Sequence, residues 1–242
     1  MFRIFLKEIN SFLDSLIGYA VVGVFLVAMG LLMWVFPETS VLDYGFADME
    51  TLFTLGPFVF IFLVPAITMR SFAEERKLGT LEWLLTKPLS EGSIVAGKFL
   101  ASVFLVLVAL APTVIYYFTL SRLGNPPGNV DTSGVIGSYI GLFLLGAAFC
   151  AIGIFSSALV TNQIVAFLLA AFISFFLYTG FESASQLVTD GSTALWIRQL
   201  GIQYHFESLG RGLIDSRDLV YFAGVSGMLL LAAKTVLSSR SW

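Results

Sequence analysis

Three stretches carry residue types that could do chemistry, and each lacks a necessary part. Gly92-Ser93-Ile94-Val95-Ala96-Gly97-Lys98-Phe99 has nearly the spacing of a phosphate-binding loop. Such a loop cradles phosphates on backbone N–H groups, reaches them with its lysine and holds magnesium on a following Ser or Thr hydroxyl. Phe99 stands at the hydroxyl position, no strand precedes the segment, and an apolar run follows directly. Gly224-Val225-Ser226-Gly227 could present the serine of an intramembrane hydrolase, but a serine nucleophile needs a base. The only histidine, His205, lies earlier in the chain, in a segment between apolar runs. Small residues at 224–227 are expected instead to let helices pack closely. Glu74-Glu75-Arg76 offers paired carboxylates, which an intramembrane protease would combine with a second arginine and with histidines. Gly79 stands where that arginine would be, and no histidine remains. One His, one Cys and scattered Met residues make no metal-ligand cluster. Cys150, in an apolar stretch, is expected to behave as a small hydrophobe. The chain reads as no enzyme, with Ser226 or Glu74/Glu75 hydrolysis as a weaker alternative.

The elements that would position these residues follow from composition. Of 242 residues, 57% are hydrophobic and 12% charged, against about 45–50% and 25% in a soluble domain. The excess apolar surface must face lipid. That excludes a soluble enzyme and a disordered chain. The net charge of −3 argues against nucleic acid as a partner, and a single cysteine excludes a disulfide-built domain. Crossing a hydrocarbon core about 30 Å thick takes roughly 20 residues. Apolar runs of that length occupy residues 17–36, 52–69, 99–120 and 219–237, and a charge-free stretch at 132–181 is long enough for two. Its polar cluster Ser156, Ser157, Thr161, Asn162 and Gln163 divides it into 135–155 and 164–181. The expectation is an all-α polytopic membrane protein with six transmembrane helices in a single domain, 1–242. Nine of the 13 basic residues fall on the side of the termini, which predicts cytoplasmic termini. The span interiors carry no ionisable residue except Lys234 near an end, so energy for any transport must come from elsewhere.

Two segments lie outside the spans. In residues 1–16, Phe2, Phe5, Leu6, Ile9, Phe12 and Leu13 recur at helical spacing among Arg3, Lys7, Glu8 and Asp14, the pattern of an amphipathic helix lying in the membrane surface. In the external segment 182–218, residues 189–218 mix Leu195, Trp196, Ile197, Leu200, Ile202, Tyr204 and Phe206 with Arg198, Gln199, Gln203 and His205, which predicts an interfacial or partly re-entrant helix.

The most informative segment is 70–98, between the second and third spans. Residues 71–77 continue the second helix with mixed charge, and Leu78-Gly79 breaks it. Thr80 is placed to cap a new short helix, Glu82 sits in its first turn, and Lys87-Pro88 ends it. Leu81, Leu84 and Leu85, with Trp83 beside them, give this helix an apolar side, and Ser90 is placed to cap the next one. Such a helix could rest on lipid headgroups or dock into another protein. The pattern Glu74-Glu75-Arg76-Lys77-x-Gly79-Thr80-Leu81-Glu82-x-Leu84-Leu85-Thr86-x-Pro88-Leu89-Ser90, followed by Gly97-Lys98-Phe99, resembles the first cytoplasmic loop of ABC-2-type permeases. Lys7-Glu8 through Tyr19 resembles their amino-terminal elbow, Ser156-Ser157 through Ala166 their turn between the fourth and fifth spans, and Phe206-Glu207 through Phe222 their approach to the sixth. Within that family the likeness is closest to gliding-motility-associated permease subunits.

The resemblance implies a permease subunit in the bacterial cytoplasmic membrane that pairs with a second permease subunit, as homodimer or heterodimer. It implies a coupling helix at 80–87 that docks into a separate ABC ATP-binding subunit, with ATP and magnesium held by that partner and no cofactor in this chain. The ATPase-coupling residues it implies are Glu74, Glu75, Arg76, Lys77, Gly79, Thr80, Leu81, Glu82, Leu84, Leu85 and Pro88. Leu16 stands where many relatives have proline, which implies a softer elbow bend. A membrane scaffold or anchor of a surface or motility complex is the alternative function.

Overall fold

The computed structural model describes residues 1–44, 46–86, 89–212 and 214–239. Among these residues every regular element is helical. The order is α1 (Phe2–Leu13), α2 (Leu16–Trp34), α3 (Val41–Tyr44), α4 (Glu50–Thr68), α5 (Ala73–Lys77), α6 (Thr80–Leu85), α7 (Glu91–Leu110) and α8 (Val114–Leu123). Then come α9 (Thr132–Leu159), α10 (Gln163–Phe175), a π-helical turn (Phe176–Gly180), α11 (Phe181–Gln186), α12 (Gly191–Gln199), α13 (Ile202–Leu209) and α14 (Ser216–Ser238). Five helical stretches are long and apolar enough to cross a bilayer: Glu50–Lys77, Glu91–Leu123, Thr132–Leu159, Gln163–Gln186 and Ser216–Ser238. A sixth crossing is obtained when the bent pair Phe2–Leu13 and Gly18–Trp34 is taken as one span, its two helices meeting at 70°. The expected elbow is this bend. Asp14 ends α1 and an extended Ser15 starts α2, so the chain turns sharply at Leu16 without a proline, where a softer bend was expected.

The long helix α9 is the axis of the bundle. Its most apolar window is 72% buried, against 28% for the Gln163–Gln186 stretch and 17% for α14. It contacts α4, α7, α10, α13 and α14. Lipid tails are as apolar as leucine, so close packing rather than water exclusion must hold such helices together. Gly153 shows how close that is: a Cβ there would collide with Thr68 Oγ1, on a side chain whose hydroxyl already donates to the Val64 carbonyl at 2.9 Å. Higher in the bundle, Phe25, Phe60, Leu105, Leu145, Phe149 and Phe222 fill the core, with the Phe25 and Phe60 rings 5.5 Å apart. The glycines expected to permit close packing in α14 do not do so within the chain, because a Cβ on Gly224 or Gly227 would meet nothing within 4 Å.

Breaks in the helices are sealed by side chains. Between α4 and α5 the chain leaves the ladder, and a freed backbone group in a membrane needs a partner inside the protein. Ser157 of α9 supplies it, accepting from the Phe72 and Ala73 N–H groups at 2.9 and 3.0 Å and donating to the Met69 carbonyl at 3.0 Å. At the other end of the bundle, residues 182–218 divide. Helix α13 buries Ile202, Phe206 and Leu209 in the main core, whereas α12 buries none of its residues and leaves Trp196 exposed. Asp190 caps α12, and the hydroxyls of Ser192 and Thr193 hold its carboxyl down to about 2.

Gly153→Ala is expected to destabilise the protein by about 1–3 kcal/mol through overpacking, read as a lower unfolding midpoint in mild detergent. Gly224→Ala should stay within about 0.5 kcal/mol of the parent.

Candidate coupling surface at the charged end

Residues 70–98 gather with α1 at one end of the bundle. Helix α5 ends as Leu78 N–H donates to the Glu74 carbonyl at 2.9 Å, and Gly79 then adopts φ 68°. A Cβ at Gly79 would meet nothing within 4 Å, so glycine is needed there for the left-handed turn itself and not for space. Gly79 occupies the cap position of α6, correcting the expectation for Thr80, whose hydroxyl turns back to the Glu75 carbonyl at 3.4 Å. A threonine already inside the first turn has helical backbone angles, which aim its side chain away from the free N–H groups it was expected to cap. Ser90 does cap α7, accepting from Ser93 N–H at 3.3 Å.

The chemistry of this end centres on Lys98, which is 1% exposed. Its Nζ lies 2.7 Å from Glu8 Oε1 of α1 and 3.0 Å from Glu75 Oε1 of α5, and it donates to the Ser71 carbonyl at 2.6 Å. The Phe72 ring lies beneath it at 5.0 Å. Lys7 of α1 reaches the same Glu75 oxygen at 2.6 Å. Burial works against the Lys7 charge, yet the hydrogen bond and charge of Glu75, with Glu8 beside it, keep its ammonium above the ordinary lysine range. Arg70 pairs with Glu74 one turn away at 3.1 Å and donates to Ser15 Oγ at 3.1 Å. The segment that resembles a phosphate-binding loop thus serves another purpose. A Cβ on Gly97 would fall 3.1 Å from Ile4, so Gly97 admits the elbow against α7 and Lys98 fixes it there.

The eleven residues expected to couple to an ATPase separate into two faces. Glu74 and Glu75 point to partners within the chain. Leu81, 2% exposed, anchors α6 in a second buried cluster with Ile4, Phe72, Ile94, Ile154 and Leu237. Leu84 packs at the edge of that cluster. Arg76 is half-buried, and its Nε has no hydrogen-bond partner among the described residues. Lys77, Gly79, Thr80 and Glu82 are exposed. Pro88 lies outside the described residues, as does the side chain of Leu85. Sequence reasoning passed over Lys98, Lys7 and Glu8 as site residues, and Trp83 as more than a neighbour of the leucines. Trp83 is 79% exposed and Leu78 67%, the two largest exposed apolar side chains among the described residues of this loop. The signal for Trp83 is its position two residues after Leu81, which puts it on the opposite side of a helix.

At the far end, His205 commits Nδ1 to Asp218 Oδ1 at 2.7 Å and Nε2 to the Gln199 carbonyl at 2.9 Å, and it stacks on Tyr221 at 3.8 Å. Neither ring nitrogen is left to activate Ser226. Among the described residues no group of His, Cys, Asp and Glu could hold a metal ion. The charged end thus joins an inner seam of ion pairs to an exposed apolar edge.

A family model described as ABC-2 family transporter protein matches residues 6–237. No curated protein matches the chain.

Removing one partner of a buried ion cluster leaves uncompensated charge, at a cost of about 3–5 kcal/mol. Lys98→Ala is expected to lose about that much stability in detergent unfolding. Neutralising the cluster together, by Lys98→Met with Glu8→Gln and Glu75→Gln, should restore most of it. A loss below about 1 kcal/mol for Lys98→Ala would contradict the reading of the seam.

Proposed function

The chain belongs to the ABC-2 family of transporter proteins, and we propose that it is a multi-pass permease subunit worked by a separate ATP-binding subunit that docks on residues 70–86. ATP and magnesium reside on that partner. The observation that carries the reading is the exposed Leu78–Trp83 edge, mounted on a helix that Leu81 and the Lys98 seam hold from behind. An apolar aromatic edge costs free energy in water, and tryptophan is the residue type most often found at the centre of a binding surface. A rigid mounting lets a push on α6 move α1, α4 and α7 as one body.

The distribution of lysine and arginine favours this end as the cytoplasmic one, with both termini on that side of a bacterial cytoplasmic membrane. A second permease subunit would cover apolar surface on α10 and α14, the most exposed of the five unbroken crossings. A place in gliding motility rests on the likeness of the sequence blocks alone.

Co-purification in mild detergent identifies the ATP-binding subunit, and its affinity for the permease then tests the edge. Trp83→Ala should weaken binding by about thirtyfold, the effect of a 2 kcal/mol anchor, and lower permease-stimulated ATP hydrolysis while leaving the unfolding midpoint unchanged. Unchanged affinity would remove Trp83 from the interface. Failure to recover any ATP-binding subunit with the intact protein would count against the docking itself.

A further inference from the structure

His205 of α13 stands between the end of α12 and the start of the last crossing, with an oxygen in front of each ring nitrogen. Nδ1 lies 2.7 Å from Asp218 Oδ1, in the first turn of α14, and Nε2 lies 2.9 Å from the carbonyl of Gln199, the last residue of α12. A carbonyl and an ionised carboxylate can only accept. A neutral imidazole has one N–H and one lone pair, so it satisfies one of these oxygens and sets its lone pair against the other, whereas the imidazolium donates to both.

The surroundings of the ring favour its charged form. Asp218 is 4% exposed, and its Oδ2 has no hydrogen-bond partner among the described residues, so His205 is the group that answers its charge. The Gln199 carbonyl belongs to a helix end, where unpaired carbonyls make a positive charge favourable. The ring also lies flat on Tyr221, with centroids 3.8 Å apart and planes at 19°, which sets a cation against a π face. The other groups around it are occupied or uncharged. Arg198 of α12 is engaged by Glu182 of α11 and Glu207 of α13. Tyr204 of α13 meets the imidazole edge-on at 5.3 Å, the π-helical turn brings Tyr178, and α9 has no charged residue. Asp215 and Arg217, beside Asp218 in sequence, are exposed. Helix α12 buries none of its residues, so polar contacts at its end carry much of its attachment: Arg198, the Gln199 carbonyl on His205, and the Leu200 carbonyl, which accepts from Tyr221 Oη at 2.7 Å.

We infer that His205 is a proton-operated latch that fastens α12 to the first turn of α14. With its proton the ring holds both oxygens, and without it one of the two ties fails. The proton leaves to solvent, which reaches the 12% of the side chain that is exposed. The fastened state holds one proton more than an open state with a neutral ring, so the latch is closed at acid pH and opens as pH rises. Carboxylates and guanidinium groups ordinarily change charge outside the range of an imidazole, which leaves the pairs of Arg198 in place while the latch responds. The latch does not depend on an ATP-binding subunit docked at 70–86, and its test reads neither docking nor ATP hydrolysis.

His205 is the only histidine in the sequence, so isotope-labelled histidine reports a single ring in the intact protein, purified on a tag without histidine. In nanodiscs both faces meet the buffer. Two readings are compared from about pH 5 to about pH 9, a span that contains the range in which imidazoles usually change charge. One is the NMR signal of the ring nitrogens, and the other is amide exchange of residues 191–199, corrected for its intrinsic pH dependence. As pH rises the ring should lose one proton, and protection of 191–199 should fall about tenfold with the same midpoint, the effect of losing a hydrogen bond to a charged group. Asp218→Asn, whose amide donates to a neutral Nδ1, should keep the protection across the whole span, with no pH step and an unchanged unfolding midpoint. His205→Phe, which keeps a ring on Tyr221, should show at every pH the low protection that the parent shows at the alkaline end. A ring that titrates with no change in exchange would overturn the latch, as would protection that rises with pH or a pH step that survives Asp218→Asn.

Discussion

A lysine side chain that is 1% exposed at the edge of a membrane bundle sets the terms for everything around it. An isolated buried ammonium is too costly to keep, so Lys98 must be met by carboxylates, and in this chain they come from two different elements. Glu8 comes from the elbow and Glu75 from the extension of the second crossing. The interaction therefore fixes where the elbow lies, how far α4 continues as α5, and where α7 enters the bundle. Gly97 and Ser157 follow from the same demand. One lets the elbow come near enough, and the other supplies hydrogen bonds to the backbone that bends so that Glu75 can face inward.

With the inner carboxylates committed, the loop divides between holding and offering. Leu81, Glu74 and Glu75 hold. Leu78, Glu82 and Trp83 are offered to whatever approaches from outside. Gly79 makes the division possible, since its left-handed turn lets α5 and α6 present different faces within a few residues. A surface pair such as Arg70–Glu74 adds little to stability, typically below about 1 kcal/mol, but here its arginine also reaches Ser15 at the start of α2. At the far end, α13, His205, Asp218 and Tyr221 tie the last crossing to the outer segment, so both ends of the bundle are closed by polar clusters of different design.

Crossings are legible in residue type because hydrocarbon admits only long apolar runs, and the elbow is legible because its periodicity is helical while its charges keep to the other positions. The short helix in 70–98 is legible from Gly79 and Ser90. Pairing between distant charges is not: nothing local to Lys98 tells that residues 8 and 75 will face it, and its place in a near phosphate loop points elsewhere. Glycines illustrate the same limit. Gly153 and Gly224 look alike in sequence, yet one is pressed against Thr68 and the other faces open space. Helix α13 reads as interfacial because its apolar residues are interrupted by Gln203 and His205, whose partners Glu207, Asp218 and Gln199 are revealed only by the fold.

Whether Lys98 holds the elbow through Glu8 is most directly read from amide exchange of residues 2–13 in a double-mutant cycle of Glu8→Gln and Lys98→Met. If the pair acts as a unit, each single substitution frees the elbow amides about as much as both together. The coupling energy should then be at least about 1.5 kcal/mol, within the range for residues in direct contact. Effects that simply add, or an elbow that stays protected in all three variants, would contradict a seam centred on Lys98.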